Sequence, residues 1–274
     1  MNPAIDETIL PAMNLGLQDK PALVFASSAG IGRGVAQELA REGARVMLCS
    51  RSEDKLKAAQ NSIAAETGNR PEIFVGDVGE PGVVERAVAA TVEKFGGLWS
   101  LFNNAGGPPA GNFDQFDDSI WQGAFELTLL SYVRAIRAAL PHLRAGGGGR
   151  IVNNTSASTR QAIDKLLLSN TFRLGVVGLT KTLARELGPD KILVNVVSPG
   201  RIDTDRVAQL DALWAEKQGI TIAEQRARSA EKIPLGAYGN PAEFGRVVAF
   251  LCSESNTYVT GQNLLIDGGM VEAY

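Results

Sequence analysis

The sequence predicts a single α/β domain in which seven parallel strands are wound on both faces by helices. Two observations carry this expectation. Short β-branched apolar runs alternate with longer helical patterns along the whole chain, the order that parallel strands joined by crossover helices require. The glycine run Gly146–Gly149 is too short to separate a pair of cores and reads as a turn before a strand. No internal repeat or low-complexity tract interrupts the pattern.

The elements follow in order. A first strand at Ala22–Ala26 leads into a helix at Ile31–Glu42. The second, Arg45–Cys49, precedes Ser52, whose hydroxyl suits the N-cap of a helix over Glu53–Thr67 with Glu53 and Asp54 in its first turn. The third, Glu72–Val75, is followed by a helix at Pro81–Phe95, proline being tolerated where the N–H has no partner. The fourth, Leu98–Asn103, precedes one long helix at Asp118–Ala145. The fifth, Arg150–Asn154, precedes a helix at Ile163–Leu187 that Gly188 and Pro189 stop. The sixth, Ile192–Val197, runs into a charged helical stretch at Asp203–Ala230. Pro241–Ser253 is the last helix and Leu264–Ile266 the last strand. Residues 1–12 read as a loose extension and 13–274 as the domain.

With 274 residues, 45% of them hydrophobic and 21% charged, the chain can bury a substantial core. A net charge of -3 gives no footprint for nucleic acid or an anionic membrane. No apolar run approaches the roughly 18 to 20 residues that span a bilayer, and Asp6 and Glu7 speak against a signal peptide. The two cysteines, Cys49 and Cys252, suit buried thiols in a reducing compartment, so a cytoplasmic protein is expected. No metal-ligand cluster is predicted.

Between the first strand and first helix lies Ala26-Ser27-Ser28-Ala29-Gly30-Ile31-Gly32. A dinucleotide pyrophosphate needs close backbone approach and helix N-terminal N–H groups, and Gly30 and Gly32 leave room for both. After the second strand Ser50 stands where an acid often binds the ribose of NAD(H), and Arg51 follows it. A guanidinium without the acid favours a 2′-phosphate, hence NADP(H) over NAD(H); a solvated arginine at a strand end is the alternative. Asp77 either accepts from an adenine amino group or caps a turn. The fold class is therefore a Rossmann-type doubly wound seven-stranded parallel sheet.

Further motifs are Gly76-Asp77-Val78, Asn103-Asn104-Ala105-Gly106, Ile151-Val152-Asn153-Asn154-Thr155-Ser156, Val194 through Gly200 ending in Ser-Pro-Gly, and Thr260-Gly261-Gln262 near Asp267-Gly268-Gly269. In order and spacing the chain resembles the short-chain dehydrogenase/reductase family from about Gly16 to Met270, most closely its 3-oxoacyl-carrier-protein reductase branch. The resemblance implies a nicotinamide cofactor and a homo-oligomer, a dimer or usually a tetramer. It also implies cofactor contacts from Asn104, Ala105 and Gly106 on the adenosine side and from Pro199, Gly200, Ile202 and Thr204 at the nicotinamide, and Ser27, Ser28 and Val78, within the matching motifs, are further candidate cofactor contacts. The family's Thr-Gly opening of the phosphate turn is Phe25-Ala26 here. If the turn demands a positive φ at residue 26, alanine is strained there, and the turn is expected to tolerate it.

The same resemblance implies a catalytic Ser, Asn, Tyr and Lys. The Ser is Ser156; the Asn position is Thr128; the Tyr and Lys positions are Ser169 and Arg173. A phenol near pKa 10 can be drawn toward neutrality by a nearby cation, whereas a serine hydroxyl is a far weaker acid. Arg173 can clamp cofactor ribose hydroxyls or stabilise an oxyanion but does not shuttle protons near pH 7. Tyr132, one turn beyond Thr128, is the nearest other phenol, although a core or interface aromatic is the reading its type favours. Asp164 and Lys165 read as a solvated helix start, and His142, the single histidine, as a helix-end residue.

The segment at about 203–235 is the expected helical lid over a small-molecule substrate, and the apolar excess on the helices at Asp118–Ala145 and Ile163–Leu187 suits an oligomer interface. Two readings follow. One is an NADP(H)-dependent oxidoreductase with a non-standard proton donor, acting on a small carbonyl or alcohol, including a 3-oxoacyl thioester. The other is an NADP(H)-binding protein with little catalysis, acting as a sensor or oligomer subunit.

Overall fold

The computed structural model describes residues 14–273; the extension expected at residues 1–12 lies outside them. Seven strands, β1 (Pro21–Phe25), β2 (Arg45–Ser50), β3 (Glu72–Val75), β4 (Ser100–Asn103), β5 (Gly149–Asn154), β6 (Ile192–Pro199) and β7 (Asn263–Ile266), form one parallel sheet in the order β3-β2-β1-β4-β5-β6-β7. The central strands are buried on both faces, which is why they read as near-continuous apolar runs. Register places Leu23 beside Leu101, Leu101 beside Ile151 and Ile151 beside Val194. All four side chains are fully buried, each contributing on the order of 1.5–3 kcal/mol.

Nine helices cover the sheet among the described residues: α1 (Gly30–Arg41), α2 (Glu53–Thr67), α3 (Val83–Phe95), α4 (Asp118–Phe125), α5 (Ser131–Ala145), α6 (Leu167–Glu186), α7 (Asp205–Gln218), α8 (Ile222–Ala230) and α9 (Pro241–Cys252). One core layer gathers Leu39, Leu56 and Phe244 from α1, α2 and α9. The other gathers Val88, Ile136 and Val176 from α3, α5 and α6. Cys49 and Cys252 are buried free thiols, and burial pushes both up to about 12.

Four expected elements differ. Pro81 precedes α3 instead of opening it: the Val83 N–H bonds the Glu80 carbonyl, and Gly82 takes the left-handed cap. The long helix at 118–145 is continuous in backbone conformation but widens for one turn, Glu126–Leu130, which divides it into α4 and α5. Residues Ile163–Leu166 form a turn ahead of α6, closed by the Asn170 amide donating to the Ile163 carbonyl at 3.0 Å. The segment expected as a lid is two helices, because Gly219 ends α7 at φ 65° and Thr221 with Glu224 caps α8. No described helix is long and apolar enough to cross a membrane.

Candidate active site

Strand order reverses between β1 and β4, and at their carboxyl ends the chain opens into a cleft of about 400 Å³, the place where such sheets bind ligands. Of the residues nominated by the sequence, Gly30, Ile31, Asn104, Ala105, Gly106, Ser156, Ser169, Arg173, Pro199, Gly200, Ile202 and Thr204 line it.

One wall is the turn from β1 into α1. Gly32 is required by packing: a Cβ there would stand 2.2 Å from the Ala26 carbonyl oxygen and 2.9 Å from Asn104 Nδ2. Ala26 takes φ 47°, a left-handed conformation that costs a non-glycine residue about 1–2 kcal/mol. The N-terminus of α1 has no side-chain cap, since Ala29 occupies the cap position, whereas α2, α7 and α9 are capped by Ser52, Thr204 and Asn240. Its first N–H groups therefore remain available to an anion, with the positive end of the helix dipole behind them. Ser27 does not join them. Its fully buried hydroxyl donates to the Val24 carbonyl at 2.8 Å and accepts from the Cys49 N–H at 3.0 Å, fastening β1 to β2.

Beyond this wall, at the ends of β1 to β3, the Ser28 and Ser50 hydroxyls are 2.9 Å apart. The exposed Arg51 guanidinium lies 3.5 Å from Asp77 Oδ2, and Asp77 Oδ1 accepts from the Gly79 N–H at 2.9 Å. Asp77 thus caps its turn. Val78 is buried in the core layer of α3 and α5.

The opposite wall is built from side chains. Ser156 follows β5, and its Oγ accepts from the Ser158 N–H at 3.1 Å, which leaves its proton to donate elsewhere. Ser169 and Arg173 lie one turn apart on α6, hence on one face. The Ser169 hydroxyl has no hydrogen-bond partner among the described residues. Arg173 is 4% exposed, and its Nη1 donates to the Tyr132 hydroxyl at 3.0 Å and the Asn154 carbonyl at 2.7 Å. Its Nε is buried without a partner.

Tyr132 is buried and donates to the same Asn154 carbonyl at 2.8 Å. Burial raises its phenol above the ordinary value of 10.0, against a smaller downward pull from the Arg173 charge. It does not line the cleft; it positions Arg173. Thr128 is likewise outside the cleft. It is fully buried in the wide turn, and its hydroxyl donates to the Ala124 carbonyl at 2.6 Å. His142 lies in the last turn of α5, and Asp164 and Lys165 are exposed in the turn before α6.

Sequence reasoning missed the amides that join the walls. The Asn154 amide donates to Asn104 Oδ1 at 2.9 Å, and Asn153 links Asn103, at 2.8 Å, to Thr180 of α6, at 2.9 Å. The signal was present: two asparagine pairs end neighbouring strands, and buried amides there require partners. Arg206, on the first turn of α7, was missed too. It is exposed, yet its Nη2 donates to the Pro108 carbonyl at 3.0 Å across the mouth of the cleft. Helix α7 is fastened by Arg201, which bonds the buried Asp211 at 2.6 Å and Tyr238 at 3.0 Å and stacks over Trp214.

Residues 25–271 match the family described as enoyl-(acyl carrier protein) reductase. The chain is 32% identical over 258 residues to the 3-oxoacyl-[acyl-carrier-protein] reductase FabG of Aquifex aeolicus, covering 94% of this chain and 100% of that one. L-Sorbose reductase from Gluconobacter frateurii, solved with NADPH and L-sorbose, superposes with a TM-score of 0.90 at 32% identity, covering 96% of this chain and 100% of the other. A variant of actinorhodin polyketide ketoreductase, solved with NADPH, superposes with a TM-score of 0.88 at 32% identity, covering 93% and 98%.

Proposed function

Because the chain belongs to the short-chain dehydrogenase/reductase family, we propose that it transfers a hydride between NADP(H) and a small carbonyl or alcohol through a non-standard set of side chains. The observation that carries this reading is the convergence of Ser156, Ser169 and Arg173 on the cleft that also receives the uncapped N-terminus of α1. The cofactor fits the residues present. The free N–H groups of α1 suit a pyrophosphate, and a Cβ on Gly106 would meet nothing within 4 Å, which leaves the backbone approachable. Bound there, a nicotinamide dinucleotide supplies or accepts the hydride.

The chain's own residues do the rest. Ser156 and Ser169 donate hydrogen bonds to the substrate oxygen, and the fixed Arg173 guanidinium stabilises negative charge developing on it. Ser169 stands at the position of the family's Tyr and Arg173 at that of its Lys, so Arg173 retains the clamping role while proton transfer passes to water. Support for NADP(H) over NAD(H) comes from Ser50 and Arg51 at the end of β2 and from the NADPH named for both solved relatives. We further propose a homo-oligomer built on the face of α4 and α6, where Phe172 stacks with Trp121 and Phe125 and Leu174 is 55% exposed.

The reading without catalysis is not favoured, since the relatives named above are reductases. The test is NADPH oxidation over a panel of ketones, aldehydes and 3-oxoacyl thioesters, with NADPH and NADH affinities measured on the same preparation. Turnover with tighter NADPH binding is expected. Tight binding without turnover on any carbonyl would return the non-catalytic reading.

A further inference from the structure

We infer that the substrate is a small oxo- or hydroxy-carboxylate whose carboxylate is seated between Arg173 of α6 and Arg206 of α7. The inference rests on the proposed hydride transfer for the bond that is reduced, but not for the anion itself. Both arginines line the same cleft, and neither has a carboxylate within ion-pair distance among the described residues. Several arginines outside the cleft pair with acids: Arg33 with Glu66, Arg134 with Glu126, Arg144 with Asp190 and Arg201 with Asp211. The other buried arginine, Arg150, has its donors met by the carbonyls of Ser253, Gly149 and Asn256, whereas Arg173 leaves its Nε unmet beside the cleft.

Arg173 is nine-tenths buried and has a donor, Nε, without a partner. A buried cation lacking a counter-ion is costly to hold. Arg206 is placed against the field of its own helix, being the second residue after the Thr204 cap of α7, where the dipole favours an acid. Although the residue is exposed overall, contact of its guanidinium with the Gly107–Pro108 backbone strips part of its water and, with the charge of Arg173, holds it below the ordinary arginine value. Two cations lining one cleft, neither with a counter-ion among the described residues, make a site for one anion. Asp205 is the single acid on the lining; it is exposed and pairs with neither arginine.

The loop that Arg206 grips belongs to the wall that carries Ser169. Three residues beyond Pro108, the Gly111 N–H donates to the Lys165 carbonyl at 2.7 Å, and Gly111 bridges to Leu166 immediately before α6. An anion held there lies beside the hydroxyls proposed to hold the reacting oxygen. In the reducing direction the carbonyl carbon gains a hydride from NADPH and its oxygen gains a proton from water. The nicotinamide is oxidised, and the carboxylate is unchanged.

The test is calorimetric titration of 2-, 3- and 4-oxo acids and the methyl ester of each into the NADP⁺-saturated protein, which binds them without turnover. R206Q and R206K are titrated alongside, with NADPH affinity measured by fluorescence and folding checked by melting. An acid is expected to bind at least about tenfold more tightly than its ester, or about 1.4 kcal/mol. R206Q should erase that preference while leaving NADPH affinity within about twofold, and R206K should keep a fraction of it. Equal binding of acid and ester, or binding of neither, overturns the inference. So does a loss of NADPH affinity beyond about tenfold in R206Q, which would assign Arg206 to the cofactor phosphates. Preferential binding of an acid that never oxidises NADPH leaves the anion site standing and refutes the hydride-transfer reading instead.

Discussion

The two walls of the cleft are made of different material. At the β1–α1 end the surface offered to a ligand is backbone: free N–H groups of α1 and the close approach that Gly32 permits. At the β5–α6 end it is side chain: Ser156 and Ser169, with Arg173 held by Tyr132 and the Asn154 carbonyl. A backbone wall tolerates few changes where, as at Gly32, an added atom collides. A side-chain wall can be rebuilt, provided every buried polar group finds a new partner.

The sharpest way to break this comparison is Ser156→Ala, which removes one of the two donors proposed for the substrate oxygen. A fall of about 10²–10³ in kcat is expected from a lost donor of this kind, with NADPH affinity retained. Turnover surviving in S156A would move the reacting oxygen elsewhere. Next comes Gly32→Ala on the backbone wall, where the new Cβ meets the Ala26 carbonyl at 2.2 Å. Overpacking of this sort costs about 1–3 kcal/mol, so a lower melting temperature and weaker NADPH binding should appear together. Binding and stability unchanged in G32A would show that the turn yields more readily than its geometry implies.

Tyr132→Phe tests whether the side-chain wall depends on its hidden support. It deletes the phenol between Arg173 and Asn154 and should cost about 1–2 kcal/mol of stability, with a loss of kcat but little change in KM. Ala26→Gly should act in the other direction. Relief of the φ of 47° outweighs the added freedom of the unfolded chain by about 0.5 kcal/mol, read as a slightly higher melting temperature.

The smallest expected effect is on pH. The Tyr132 phenol is raised above 10.0 by burial, in spite of Arg173, and so stays protonated below that value. Serine hydroxyls do not ionise in this range, and a guanidinium does not deprotonate. Hence kcat/KM should be flat from about pH 6 to 9. A step in that window would identify a titrating proton donor, and the proton would not come from water.

Much of the backbone wall was legible in the chain. Gly30 and Gly32 between a strand and a helix, and Ser50 with Arg51 at the next strand end, are local patterns that fix local geometry. Legibility failed even here for Ser27: its place in the motif suggested a ligand contact, but the hydroxyl turns inward and joins β1 to β2. On the other wall Ser156, Ser169 and Arg173 could be placed by the resemblance to the family, and the two losses at the Tyr and Lys positions could be argued from residue chemistry. Thr128 could not be, because the wide turn that buries it and sends its hydroxyl to Ala124 is invisible in an unbroken helical pattern. Nor could the split of the lid at Gly219, in a stretch whose charge pattern stays helical throughout.

What the sequence determined by itself was the alternation of strand and helix, the seven parallel strands and the glycine turn at the first crossover, since these depend on hydrophobic period and backbone freedom over a few neighbouring residues. Only the tertiary structure decided that Tyr132 supports Arg173 instead of donating a proton, and that Arg206 from the lid faces the same cleft as Arg173. Those pairings join residues 41 and 33 positions apart, and the chain's fold, not its local pattern, sets which side chains meet and which are left without a counter-ion.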